Sequence, residues 1–172
     1  MPALNVLEVN SGEGESTCWL IDNILTDDSA RITCIDTFEA EAAHQVVFTG
    51  GTLKVLDNLF KLNTTKTGHL EKIRTIAGKP QDKLRSLPPD AFHLVYLGGP
   101  KPASDVLENA LLTWGLVKVG GMLIFDHYGF SFDPGENEDS PSVAIDAFRK
   151  IFNNKIKLIH EGYQILLEKI AE

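Results

Sequence analysis

Two cysteines in 172 residues, Cys18 and Cys34, are too few for a disulfide scaffold and lack the spacing of a zinc site. Both read as reduced core cysteines, one on a helix and one on a strand. No apolar stretch is long enough to span a bilayer. Met1-Pro2-Ala3 has neither a basic flank nor an apolar signal core. No signal peptide is therefore expected, and a chain that enters its first strand at once is expected to carry no N-terminal cap. These readings point to the cytoplasm. Basic side chains are scarce: 16 Lys and Arg against 24 Asp and Glu give a net charge of −8. Such an acidic surface argues against nucleic acid or an anionic membrane as the main partner. There is no internal repeat and no low-complexity segment.

What is present is a globular composition, 43% apolar, of a length that suits one domain spanning 1–172. Strand patterns fall at 4–9, 31–36, 73–76, 92–97 and 122–125, the last entered through Gly120-Gly121. Helical patterns fall at 16–25, 81–87, 104–114 and 142–152, with Trp19, Leu20 and Ile24 along one side of the first. Ser104 is expected to cap the third. The connection from 37 to 68 reads as two helices, 39–48 and 53–62, broken at Gly50-Gly51, with His44 facing solvent. Two closing strands, 156–159 and 163–167, form a hairpin across His160-Glu161-Gly162. The expectation is an α/β fold: a doubly wound, seven-stranded, mostly parallel sheet with a C-terminal antiparallel hairpin and helices on both faces.

The first strand leads into a glycine-rich turn, Leu4-Asn5-Val6-Leu7-Glu8-Val9-Asn10-Ser11-Gly12-Glu13-Gly14-Glu15-Ser16-Thr17. In a parallel sheet a nucleotide-like ligand docks at this point. Gly12 and Gly14 permit a tight turn, and Ser16 or Thr17 is expected to cap the helix that follows. The fingerprint is incomplete. Asn10 stands at the first glycine position and Thr17 at the third. That suits a nucleoside with a compact charged tail, such as S-adenosylmethionine, better than a pyrophosphate. Asp36 ends the second strand about twenty residues on, where a carboxylate can meet ribose hydroxyls. The alternative, which the agreement of strand end, acid and spacing disfavours, is a helix cap or a solvated turn acid.

Further segments carry a resemblance: Ile32-Thr33-Cys34-Ile35-Asp36-Thr37-Phe38-Glu39, Phe60-Lys61-Leu62-Asn63, Ser104-Asp105-Val106-Leu107, Gly120-Gly121-Met122-Leu123-Ile124-Phe125-Asp126 and Gly162-Tyr163-Gln164. With the glycine turn, their order resembles the class I S-adenosylmethionine-dependent methyltransferases, with a Rossmann-like fold. Within them the chain is similar to the macrocin and sugar O-methyltransferase group. The resemblance implies methionine-end contacts at the turn, from Glu8, Asn10, Ser11, Gly12, Glu13, Gly14 and Ser16. It implies ribose contacts at Asp36 and Thr37, adenine contacts near Gly78 and Lys79, and further cofactor contacts at Leu97 and Gly98. The turn's backbone N–H groups would meet the cofactor's carboxylate.

The chain departs from the group after two strands. Members usually read Tyr-Ile-Asp-Gly-Ser/Asp-His after the fourth. Here the sequence is Tyr96-Leu97-Gly98-Gly99-Pro100-Lys101. After the fifth, Phe-Asp-Asp-Tyr becomes Phe125-Asp126-His127-Tyr128. Of the carboxylates that hold a divalent cation in metal-dependent members, only Asp126 remains. Hard cations want several oxygen ligands, so no metal is expected. His127, at a strand C-terminus, is the candidate base, and Asp126 its orienting acid. Lys101 could hold an anionic acceptor or lower a hydroxyl's pKa. The acidic stretch 133–139 reads as a lid or a solvated linker.

The leading reading is therefore methylation of a small hydroxylated molecule without a tightly held metal, by a chain that could pair as a homodimer. A methyltransferase-fold binding or scaffold protein without chemistry is the second reading. A nicotinamide enzyme is the third, opposed by the incomplete glycine fingerprint and the closing hairpin.

Overall fold

The structure is a computed structural model that describes residues 3–39, 47–48, 51–52, 55–99, 101–130 and 139–172. In chain order the elements begin β1 (Asn5–Val9), α1 (Glu15–Asn23), β2 (Arg31–Asp36), β3 (Val47–Phe48) and β4 (Gly51–Thr52). They continue with α2 (Val55–Thr65), β5 (Ile73–Ala77), α3 (Pro80–Leu84), β6 (Phe92–Leu97) and α4 (Ala103–Trp114). The last are β7 (Val117–Phe125), α5 (Pro141–Ile151), β8 (Ile156–Glu161) and β9 (Ile165–Lys169).

Seven strands form one sheet in the order β5-β2-β1-β6-β7-β9-β8. Every neighbouring pair is parallel except the two made by β9, which runs antiparallel between β7 and β8. This is the expected doubly wound sheet with its closing hairpin. Side chains alternate along β1, so both faces are apolar. Leu7 and Val9 join the cluster under α3, α4 and α5, with Leu123, Phe125, Ile145 and Phe148. Val6 joins the cluster under α1 and α2, with Leu20, Ile21, Ile32, Cys34 and Phe60. Among the described residues no helix is long and apolar enough to cross a membrane.

Several local expectations are corrected. Val47–Phe48, the end of the first expected helix, instead pairs with Gly51–Thr52 at the expected break as a short antiparallel ladder. The remainder of that expected helix, 40–46 with His44, lies outside the described residues, as do Pro100 and 131–138 of the acidic stretch. On α1 the buried stripe is Thr17, Leu20 and Ile21, while Trp19 is 58% exposed and Ile24 41%. Ser104 does not cap α4. Asp139 supplies the acceptors instead, its Oδ1 and carbonyl oxygen receiving the Ala103 N–H at 3.1 and 3.2 Å. The strand after α4 starts at Val117, ahead of Gly120-Gly121. Its register against β6 shifts between Phe92 and Leu94, and Gly120 adopts φ 83° there. The glycines mark a bulge within the strand rather than its entrance.

Candidate active site

The sheet order reverses between β1 and β6. In open α/β sheets the ligand crevice lies at such a switch point, beyond the strand C-termini. Asn10 follows β1 at this point with φ 61°. Asparagine enters the left-handed region more readily than other side-chain-bearing residues, so it fills the position of the missing glycine without a break in the turn. Its N–H donates to the Ile35 carbonyl at 2.8 Å, and its Nδ2 donates to the Gly98 carbonyl at 3.1 Å. One residue thereby ties the ends of β2, β1 and β6 together.

Gly14 ends the turn with φ 84° and stands at the N-cap of α1, where no side chain caps the helix. A Cβ there would approach the Phe60 ring to 3.0 Å, so α2 packs directly on the turn. Ser16 and Thr17 are not caps. Their hydroxyls point inward and donate to the two carboxylate oxygens of Glu8. Alternation along β1 places Glu8 on the face that α1 covers, and it is wholly buried. Burial raises its pKa above 4.5 against the opposing hydrogen bonds of Ser16, Thr17, Ser11 and Cys34. Glu8 thus lies beneath the cleft and reaches it only through its hydroxyl partners Ser16 and Ser11.

Two pockets open on either side of Asn10. The first, about 400 Å³, is lined by Asp36, Thr37, Lys79, Pro80, Gln81, Lys101 and Asn109, among others. Asp36 is nearly buried, and its oxygens accept from the N–H groups of Gly12 at 2.9 Å and Phe38 at 2.8 Å. Oδ1 also accepts from the Thr37 hydroxyl at 3.4 Å, so it is Oδ2 that keeps an open acceptor position for a ribose hydroxyl. Asn109 is 3% exposed, and its Oδ1 has no hydrogen-bond partner among the described residues. A buried acceptor at a polar pocket is suited to a ligand donor. Gly78 stands behind this wall, its N–H donating to the Asp36 carbonyl at 2.9 Å.

The second pocket, about 600 Å³, is lined by Ser11, Gly12, Glu13, Glu15, Ser16, Trp19, Tyr96, Gly98, Gly99, Asp126 and His127. His127 holds φ 60°, and its Nδ1 lies 2.8 Å from Asp126 Oδ2. That Nδ1 is buried and has no aligned hydrogen bond among the described residues. The short separation between adjacent side chains is therefore an electrostatic contact rather than a directed hydrogen bond. Gln164 Nε2 donates to Asp126 Oδ1 at 2.9 Å and reaches the Tyr96 hydroxyl at 3.2 Å. Burial, with Asp126 alongside, pushes the Tyr96 phenol well up, so it stays protonated. Leu97 contributes backbone: its carbonyl accepts the Asp126 N–H at 3.0 Å.

The structure brings Asp126 and His127 together in one cleft with Ser11, Gly12, Glu13, Ser16 and Gly98. Lys101 lines the Asp36 pocket instead. Gln164, Asn109 and the cleft wall of Trp19 were not legible as site residues in the sequence. Gln164 comes from the far end of the chain, and Trp19 reads as core by its spacing. Among the described residues no group of three His, Cys, Asp or Glu could hold a metal ion. A Cβ at Gly98 would sit 3.0 Å from the Asn10 carbonyl, so a side chain there would crowd the backbone of the turn after β1.

A parallel sheet closed by an antiparallel hairpin, with its cleft at the switch point, defines the class: the Rossmann-like methyltransferase fold. A family model described as a methyltransferase domain matches residues 7–128. The chain belongs to that methyltransferase-domain family. Among solved structures it is similar to the O-methyltransferase NovP, with a TM-score of 0.71 and 19% identity over 97% of this chain and 72% of that one. It is similar to the Podospora anserina methyltransferase PaMTH1 in its SAH-bound form, with a TM-score of 0.67 and 14% identity over 96% and 71%. It is also similar to a candidate rRNA methylase from Clostridium thermocellum, with a TM-score of 0.69 and 15% identity over 98% and 87%. These likenesses are of fold. No curated protein sequence matches the chain.

Proposed function

We infer that the chain transfers a methyl group from S-adenosylmethionine to a hydroxyl of a small molecule, with no tightly held metal. The observation that carries this is the Asp126–His127 pair at the C-terminal end of β7, facing the cleft that the glycine turn lines. S-adenosylmethionine, when bound, supplies a methyl group on a reactive sulfonium. The donor set suits it: Asp36 for the ribose diol, the Asn109 acceptor in the same pocket, and open turn backbone at Gly12 and Glu13.

The chain's residues supply alignment and a base. Asp126, held by Gln164, positions His127 through the 2.8 Å contact at its Nδ1. The other ring nitrogen of His127, Nε2, takes the proton from the acceptor hydroxyl. Walls from Trp19 and Tyr96 confine the acceptor. The absent strand-four carboxylate, replaced by Gly98, supports metal-independent chemistry. Both the similarity in fold to NovP and the sugar O-methyltransferase resemblance support oxygen as the acceptor atom.

Calorimetric titration with S-adenosylmethionine, S-adenosylhomocysteine and NAD tests the cofactor. Binding of the first two and not of NAD is expected. Turnover on hydroxylated metabolites is expected to fall by about 10²- to 10⁴-fold in His127→Ala, the usual worth of a general base. Cofactor binding without turnover on any acceptor would favour a scaffold instead.

A further inference from the structure

We propose that the chain carries a second ligand site, for a phosphate group, at the end of the sheet opposite the cleft. A pocket of about 410 Å³ opens there, with Arg31, Thr33, Lys72 and Arg74 on its lining and Leu87 and Pro88, after α3, along one wall. Strand register gathers the polar side chains. Thr33 is level with Arg74 on the neighbouring strand β5, and Arg31 stands two residues before Thr33 on β2. Side chains two apart on a strand, or level on adjacent parallel strands, point to the same face. Here it is the face of Ile35 and Ile76, over which α3 packs.

In a chain of net charge −8, this pocket is basic. Arg31, Lys72 and Arg74 form no ion pair among the described residues. The Arg31 guanidinium is held in place: its Nη1 donates to the Asp28 and Ala30 carbonyls at 2.7 and 2.8 Å, which leaves Nε and Nη2 for a ligand. Lys72 is 2% exposed, and its ammonium donates to the Leu25 carbonyl at 2.6 Å. Glu71, the one carboxylate on the lining, lies 3.2 Å from the His69 ring.

Thr33 supplies an independent observation. It is 7% exposed, lines the pocket, and its hydroxyl makes no hydrogen bond among the described residues. A buried hydroxyl without a partner is suited to a ligand oxygen. A guanidinium fork matches the oxygens of a phosphate or a carboxylate. Two arginines balance the charge of a phosphate monoester, close to −2 at neutral pH, whereas a carboxylate leaves one of them uncompensated. The ligand group is therefore a phosphate, brought either by free phosphate or by a small ester whose body lies along Leu87 and Pro88. The site is separate from the cofactor's. β2 starts at it with Arg31 and ends at the Asp36 pocket, about 17 Å away at the rise of a strand. The proposal thus stands whether or not the methyltransferase reading does.

The test titrates the full chain by calorimetry with inorganic phosphate, phenyl phosphate and benzoate at fixed ionic strength. Both phosphates are expected to bind at one site, and benzoate about tenfold or more weakly. Tighter binding of phenyl phosphate than of inorganic phosphate would identify an ester as the ligand. Inorganic phosphate binding as tightly or more tightly would identify free phosphate. Arg74→Gln lies on the edge strand, and Thr33→Val keeps the side-chain shape while removing the hydroxyl. Each is expected to weaken phosphate binding about tenfold, with the circular dichroism spectrum of the wild type. Lys101→Gln, in the other basic pocket, is expected to leave it unchanged. No saturable binding of either phosphate, benzoate binding as tightly, undiminished affinity in Arg74→Gln or Thr33→Val, or loss of binding in Lys101→Gln would overturn the proposal.

Discussion

The side-chain amide of Asn10 donates to the Gly98 carbonyl at 3.1 Å, across the point where the strand order reverses. The same residue takes φ 61° and lines both pockets. An asparagine where a glycine is usual therefore holds the crevice in shape rather than interrupting it.

Substitution at this position separates the two roles. Asn10→Gly keeps the left-handed backbone and loses the clamp, so a loss of about 0.5–1.5 kcal/mol is expected from the hydrogen bond. Asn10→Ala loses both and is expected to cost about 1–2 kcal/mol more. Thermal unfolding should rank the wild type above Asn10→Gly and Asn10→Gly above Asn10→Ala. Equal melting temperatures for the two variants would show that backbone strain is not at issue.

Glu8 gives a pH signature. Burial raises its folded pKa above 4.5. The unfolded chain releases this proton near that value while the folded chain retains it, so folding takes up a proton as pH rises past it. The contribution of Glu8 to stability is full below about pH 4.5, falls as pH rises, and levels off above the folded value. Glu8→Gln removes this dependence. Urea unfolding from pH 4.5 to 8 should show the variant gaining on the wild type as pH rises. A constant difference would contradict the burial account.

Gln164 acts through Asp126 and is a positioning residue. Gln164→Leu is expected to lower kcat about tenfold while the affinity for S-adenosylhomocysteine stays near that of the wild type, with Gln164→Glu failing to restore it because a carboxylate repels Asp126. A matched loss of cofactor affinity would mean that the residue only supports the fold.

Gly98→Asp places a carboxylate after β6, where the resemblance to metal-dependent members implies one. The new Cβ would meet the Asn10 carbonyl at 3.0 Å. Overpacking of this kind costs about 1–3 kcal/mol, and for a chain of this length each kcal/mol is about 2–4 °C of melting temperature. A lower melting temperature with no stimulation by magnesium is expected. Magnesium-dependent turnover in the variant would reopen the case for a metal.

The strands were the most legible part of the chain, because alternation on a sheet buried on both faces leaves dense apolar runs. The bounds of β2 and β6 agree with the pattern, Arg31–Asp36 and Phe92–Leu97. The start of β7 was hidden because Gly120-Gly121 signals a break, while the fold uses it as a bulge inside the strand. The short β3–β4 ladder was hidden because its pairing residues are too few to set a period. In the site, Asp126 and His127 were legible as an anomaly after a strand. Ser16 and Thr17 were misread as caps because local helix rules take no account of Glu8, which lies eight and nine residues back and is brought beneath them only by the packing of α1 on β1. Lys101 follows β6 in sequence at the C-terminal end of the sheet, but the chain there carries it to the Asp36 side of Asn10.

A crystal structure of the full chain with S-adenosylhomocysteine tests the central claim most directly. The account requires the ribose diol on Asp36, the adenine towards Lys79 and Asn109, and the thioether sulfur open to the cleft between Trp19 and His127. Adenosine density elsewhere, or a sulfur turned away from His127, would contradict it.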